Sequence, residues 1–226
     1  MSDDRARSIL FDLDGTLTDA REGIVASLCH ALDRMGAPVP PESELTRFIG
    51  PPLRDAFATL LEKPDEEAIR KAVDHYRERY ERVGLYENRV YPRIPELLER
   101  IGAMGWRAYV ATYKPTPLAE RVLTHFGLRG HFAGVFGSRL DASPCRKSDL
   151  IRQALGTEKI APDRAAMVGD RDQDIAAARE NGLRSVGVTY GYGSREELHQ
   201  AGATWICDDP DAVFGVLSTH FREVAS

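Results

Sequence analysis

Cysteine is scarce in this 226-residue chain: Cys29, Cys145 and Cys207 form an odd set with no C-x-x-C spacing. Such usage offers no disulfide framework and reads as a protein of a reducing compartment, the cytoplasm. Long apolar runs are missing too. No stretch approaches the roughly 18 apolar residues of a bilayer-crossing helix. The opening residues MSDDRARSILFDLDGT lack the cationic region, long apolar segment and cleavage site of a signal peptide. A soluble chain with no membrane partner is expected. Excess basic charge is the third absence, because 30 Lys+Arg against 35 Asp+Glu leave a net charge of −5 and the basic residues are scattered. The electrostatic footprint of a duplex binder is therefore lacking, which argues against a nucleic acid polymer and leaves small anionic ligands open. The six histidines show no H-E-x-x-H or other ligand spacing, so a zinc site is not expected.

What remains is ordinary globular usage, 42% hydrophobic and 29% charged, at a length that suits one domain with a large insertion or two small ones. Short apolar runs at Ser8–Phe11, Arg107–Ala111, Val135–Phe136, Ala165–Val168, Ser185–Val188 and Thr204–Cys207 read as strands, with helical patterns between most of them. Alternation of this kind implies an α/β fold with a Rossmann-like, mostly parallel sheet and helices on both faces. The helices are punctuated. Pro95 suits a first turn, Gly127 stops the Leu118/Val122/Phe126 stripe, Lys147 opens a helix that Gly156 ends, and Gly182 ends another. Ser194 with Glu197 has capping-box spacing, and Asp209-Pro210 reads as a cap followed by a first-turn proline. From about Thr18 to Asn88 the rhythm breaks. Ile24, Leu28, Leu32 and Met35, then Ile69, Val73, Tyr76, Tyr80 and Val83, fall at helical spacing with no strand between them. A helical block, 18–88, is thus inserted into a core made of 1–17 and 89–226.

The chemistry concentrates at strand ends. In Phe11-Asp12-Leu13-Asp14-Gly15-Thr16 the two carboxylates are two apart, so they face one side at the end of a strand, where open α/β sheets place ligands. Gly15 lets the chain turn away. Neighbouring carboxylates repel, and a cation is the simplest relief. A second acidic group, Gly169-Asp170-Arg171-Asp172-Gln173-Asp174, follows another strand. Asp170 and Asp174 share a face if a helix begins here, with Asp172 as its N-cap. Taken alone this segment is equally an acidic helix start favoured by the helix dipole. Oxygen ligands without His or Cys suit Mg²⁺ far better than zinc. Thr112 leaves a strand with a hydroxyl and nearby backbone N–H groups, a cradle for a phosphoryl oxygen, and the ammonium of Lys147 suits a phosphate and a nucleophile together. Alone, each of these two is an ordinary turn or helix-start residue.

The order and spacing of these four segments resemble the haloacid dehalogenase-like superfamily of phosphohydrolases, over essentially the whole chain. Asp12-x-Asp14-x-Thr16 looks like its first motif, Thr112 its second, Lys147 its third and Gly169-Asp170-x-x-x-Asp174 its fourth. Phe48-Ile49-Gly50-Pro51-Pro52-Leu53, Ala111-Thr112-x-Lys114-Pro115 and Gly191-Tyr192-Gly193-Ser194 resemble its phosphoglycolate phosphatase-like group, some members of which are nucleotidases acting on nucleoside 5′-monophosphates. The resemblance implies a helical cap over the site and a Mg²⁺-dependent phosphatase for a small phosphorylated metabolite. It makes Asp12 the nucleophile that forms an aspartyl-phosphate and Asp14 the acid and then base. Asp12, the Asp14 carbonyl, Asp170 and Asp174 become the metal shell, and Thr112 and Lys147 the phosphate holders.

Gly15, Thr16, Tyr113, Lys114, Arg47, Phe48 and Arg54 complete the candidate binding residues: Lys114 near the core mouth, Arg47, Phe48 and Arg54 around the Gly50-Pro51-Pro52 joint. Tyr113 departs from the small residue often found in the family and would narrow the leaving-group pocket if its side chain lines it. Three readings stay open beside phosphoglycolate hydrolysis. These are a nucleotidase, a sugar phosphomutase and, from another class, a non-catalytic receiver-like module that stores an aspartyl-phosphate. Monomer and homodimer are equally compatible.

Overall fold

The computed structural model describes residues 7–141 and 143–221. The reading of the chain's first six residues and the ends of the proposed core segment lie outside these, as does Ala142 in the loop before Lys147. In chain order the elements are β1 Ser8–Phe11, β2 Thr18–Asp19, α1 Arg21–Arg34, α2 Glu42–Leu45, α3 Leu53–Leu60, α4 Glu66–Arg79, β3 Arg89–Val90 and α5 Ile94–Ala103. There follow β4 Arg107–Pro115, α6 Thr116–His125, β5 Phe132–Ser138, α7 Lys147–Glu158, β6 Ala165–Gly169, α8 Asp172–Glu180, β7 Arg184–Val188, α9 Arg195–Gln200, β8 Trp205–Cys207 and α10 Pro210–His220.

Six strands form one parallel sheet in the order β5-β4-β1-β6-β7-β8. The chain runs outward from β1 to one edge, then returns to its other side at β6, so β1 is the topological switch point. Open α/β sheets bind ligands in the crevice at the carboxyl ends of such strands. All four residues of β1 are buried. The pleat sends Ile9 and Phe11 to one face, with α5, α6 and α10, and Leu10 to the other, with α7 and α8. The sheet is therefore covered on both sides, which explains why its strands read as apolar runs rather than alternating ones.

Between β1 and β4 come the helices α1 to α4; Ile24, Leu28 and Leu32 of α1, Ile69, Val73 and Tyr76 of α4 and Tyr80 just after it are all buried. Val83 is not part of that stripe, because α4 gives way to a wider π turn at Tyr80–Gly84 and Val83 emerges 46% exposed. Where the insertion leaves and rejoins the core, β2 and β3 pair as a two-stranded antiparallel ribbon. Two-residue strands carry no readable hydrophobic pattern. Arg89 pairs with Asp19 at 3.1 Å and Asn88 donates to Thr18 at 3.2 Å, tying the two crossings together.

Two helix boundaries differ from expectation. Gly156 lies inside α7, which runs on to Glu158 and ends at Lys159 in the left-handed region, so the glycine is tolerated within the helix at a cost of about 1 kcal/mol relative to alanine. Helix α8 begins at Asp172 with Arg171 as N-cap, so Asp172 is its first residue and Asp170 belongs to the strand end. Ser194 caps α9 and Asp209 caps α10 as read, but the Glu197 carboxylate turns away from its own helix end, toward Arg171.

Candidate active site

Strand register assembles the floor of the site. Phe11 lies beside Val110 of β4 and Val168 of β6, so Asp12 and Asp170, just past the ends of β1 and β6, meet Thr112, two residues on from Val110 within β4, at one rim. Asp174 reaches the same rim from the first turn of α8. Asp12, Asp170 and Asp174 are all buried, and one carboxylate oxygen from each lies within 4.8 Å of the other two. The Lys147 Nζ, at the start of α7, stands 2.8 Å from Asp12 and 2.8 Å from Asp174. Burial disfavours the Lys147 charge, but Asp12 and Asp174 outweigh it and raise its pKa, so it stays an ammonium. Burial, then Asp174 and Asp12, push Asp170 up to about 8. Burial also raises Asp174 to about 6 despite Lys147. Three buried carboxylates beside one ammonium leave excess negative charge.

Asp170 is held on both oxygens, by the Thr16 hydroxyl at 3.0 Å and the Tyr192 N–H at 2.9 Å. Gly15 is needed twice over: its φ is +90°, and a Cβ there would fall 2.2 Å from the Asp170 carboxylate. Gly191, first residue of the Gly191-Tyr192-Gly193-Ser194 segment, presses on the same carboxyl group. A Cβ on it would meet the Gly15 carbonyl at 2.3 Å and Asp170 Cβ at 2.4 Å.

Asp14 does not join the three-carboxylate cluster through its side chain. Lys114 embraces it, with Nζ at 2.5 and 2.6 Å from its two oxygens. Each member of the repelling Asp12/Asp14 pair thus has its own lysine. Burial raises the Asp14 pKa, Lys114 opposes this, and Asp12 adds to it. Lys114, expected near the mouth, is instead a buried partner of the floor, its side chain 5% exposed. Its backbone N–H donates to the Thr112 hydroxyl oxygen at 3.2 Å, so that hydroxyl keeps its proton for another acceptor. Tyr113 does line the cavity, and its phenol oxygen is fixed by the Lys147 N–H at 3.0 Å, filling one of the free donors at the start of α7.

Above this floor opens a cavity of about 550 Å³ that Asp12, Asp14 and Thr112 line from below and Phe48, Tyr76 and Tyr80 from the inserted helices. Tyr76 stacks on Tyr80 with ring centroids 5.2 Å apart, and the Lys114 ammonium lies 5.4 Å from the Tyr80 ring. Both tyrosines read in the sequence as packing positions. Two phenols four residues apart on a buried stripe, where aliphatics suffice, were the available signal. Arg54 lines the cavity while ion-paired to Glu66. Arg47 is not among the lining residues: its guanidinium sits 4.8 Å from the Phe48 ring.

Residues 9–188 match the family model of the haloacid dehalogenase-like hydrolases. The chain belongs to that family. A protein of Pseudomonas aeruginosa named 5′-nucleotidase is 45% identical over 216 residues, 96% of this chain and 97% of that one. A phosphoglycolate phosphatase of Agrobacterium fabrum is 38% identical over 194 residues, covering 81% of this chain and 80% of that one. A solved structure described as a predicted phosphatase from Clostridium acetobutylicum superposes with a TM-score of 0.90 at 41% identity, over 94% of this chain and 98% of that one. This member of the family is a phosphoric monoester hydrolase. No helix among the described residues is long and apolar enough to cross a membrane.

Proposed function

We propose that the chain is a Mg²⁺-dependent phosphatase that passes the phosphoryl group of a nucleoside 5′-monophosphate to Asp12 and then to water. The observation that carries the reading is the meeting of Asp12, Asp170, Asp174 and Lys147 beneath a cavity of about 550 Å³. The donor set fits a hard divalent ion: three buried carboxylates, no sulfur, no imidazole, and an excess of negative charge awaiting a counter-ion. Asp12, Asp170, Asp174 and the Asp14 carbonyl would hold it. When bound it offsets the repulsion between carboxylates and phosphate and stabilises charge on the transferring group.

The remaining steps belong to the chain. Asp12, with one oxygen fixed by the Leu13 N–H at 2.8 Å, attacks phosphorus with the other and needs no base to activate it. Lys147 steadies that attack and neutralises phosphoryl oxygens, to which Thr112 donates its free proton. Asp14 gives a proton to the leaving oxygen and later takes one from the water that hydrolyses the aspartyl-phosphate. Lys114, bound to both oxygens of the Asp14 carboxyl, keeps that group aimed. The segment 18–88 serves as the cap that closes over these groups, moving at the β2/β3 ribbon.

The cavity favours the nucleotide over phosphoglycolate. Volumes of this size suit ligands of many atoms, and a two-carbon leaving group would leave Phe48 and Tyr76 facing water. The experiment is phosphate release from nucleoside 5′-monophosphates, phosphoglycolate and a sugar phosphate, with and without EDTA. Expected is metal-dependent release with the nucleotides preferred. Preference for phosphoglycolate refutes the substrate, undiminished turnover after chelation refutes the metal, and transfer to sugar instead of water makes the enzyme a mutase.

A further inference from the structure

Arg171 has no part in the reaction just described, yet it touches both halves of the site. It stands between Asp170 and Asp174, and its N–H donates to the Asp174 carboxylate at 3.1 Å. Its guanidinium turns the other way, into the inserted segment. Nη1 donates to the Ile49 carbonyl at 2.9 Å and reaches the Arg47 carbonyl at 3.4 Å. Nε pairs with Glu197 of α9 at 2.9 Å, and the same Glu197 oxygen accepts the Asp172 N–H at 3.0 Å. The packing is close, since a Cβ on Gly50 would lie 3.1 Å from Arg171 Cγ. Phe48, Gly50 and Pro51, which wall the cavity, flank or follow the gripped carbonyls.

The geometry points to Arg171 as a positioning residue that, oriented by Glu197, fastens the Arg47–Pro52 segment over the acidic floor and thereby sets the leaving-group wall of the pocket. The guanidinium is suited to this because its planar fork serves a carboxylate through one edge and carbonyls through another, in fixed directions; an ammonium has no such directionality. Hydrogen bonds from a charged donor are also the stronger kind. The carbonyls it takes come from the end of the Thr46–Phe48 turn, where main-chain acceptors lack helical partners. One residue thus ties the strand end that carries Asp170 to the loop that meets the substrate's other end. The inference rests on the proposed phosphatase reading only for its kinetic arm.

The test uses the full-length protein with Arg171→Met, Arg171→Lys and Glu197→Gln. In Arg171→Met, amide hydrogen exchange across 47–53 is expected to quicken about tenfold while 165–170 stays protected, because only the fastening is lost. KM for a nucleoside 5′-monophosphate should rise about tenfold, with kcat on acetyl phosphate, whose leaving group is too small to reach the wall, within about threefold of wild type. Arg171→Lys and Glu197→Gln should show the same split in smaller measure, and they decide the question if Arg171→Met does not fold. Unchanged exchange across 47–53 overturns the inference. So does a parallel loss on both substrates, which would place the effect on Asp170 and Asp174 instead. A wild-type enzyme inactive on nucleotides refutes the substrate reading alone, and the exchange measurement still decides the role of Arg171.

Discussion

The floor and the roof of the cavity are built on different principles. On the floor, polar groups are paired at short distance: Asp12 with Lys147, Asp14 with Lys114, Asp170 with Thr16 and Tyr192, Asp174 with Lys147. Strand register fixes them, and register cannot slip without turning every side chain to the wrong face. The roof is largely aromatic, with the Tyr76–Tyr80 stack and Phe48, and its loop is held to the floor through the guanidinium of Arg171. A rigid floor suits a phosphoryl group that is the same in every substrate. A roof of packed rings on an inserted segment allows the leaving group to change without disturbing the chemistry below.

The sharpest break of this contrast comes from Asp12→Asn. If the floor alone does the chemistry, turnover should fall by at least about 10³-fold on every phosphate ester, large or small, because the proposed nucleophile is gone. Circular dichroism should be unchanged. Loss restricted to one substrate would move the chemistry away from Asp12.

Removing the cation is expected to rank next, abolishing most turnover until Mg²⁺ is restored, and it carries a pH signature. Burial and the neighbouring carboxylates push Asp170 up to about 8 from the ordinary 3.8, and Asp174 up to about 6. Between those limits the folded state binds more protons than the unfolded one, so stability falls as pH rises. A divalent ion that replaces those protons should therefore raise the melting temperature more at pH 8 than at pH 5. An equal or opposite dependence, by differential scanning fluorimetry, would mean the carboxylates do not share the ion.

Lys114→Met probes the other buried pair. Leaving Asp14 without its ammonium should cost about 3 kcal/mol of stability by urea unfolding, as breaking buried ion pairs does. Lys114→Met combined with Asp14→Asn should recover much of it. Additive losses would show that Lys114 matters for packing rather than for Asp14.

How much of this was legible follows the same division. The floor could be read because each of its acidic groups sits directly behind an apolar run, and the spacing within Asp12-x-Asp14 and Asp170-x-x-x-Asp174 is local. Its pairings could not: Lys114 and Asp14 are a hundred positions apart, and a lysine at a strand end has the same local pattern whether it faces solvent or a buried carboxylate. The sheet was readable in kind, with every strand anticipated except β2 and β3, whose pairing arises only once the insertion brings residues 18 and 90 together. On the roof, helical spacing identified the buried stripe but not its second use, since a tyrosine that packs and one that also lines a cavity leave the same periodicity. Arg171 gave no signal at all, because a lone arginine among aspartates reads as a surface residue until Ile49 is placed beside it.

The smallest expected effect tests the roof itself. Phe48→Ala removes a ring from the cavity wall without touching any floor residue, so turnover of acetyl phosphate should be unchanged. For a nucleoside 5′-monophosphate KM should rise by about five- to tenfold, the order of a lost aromatic contact of about 1 kcal/mol. Which substrate and which parameter change separates two uses of the ring. If Phe48 only fills space within the insertion, its loss destabilises the fold and lowers activity on both substrates alike; if it meets the leaving group, KM moves for the nucleotide while kcat and the small substrate do not.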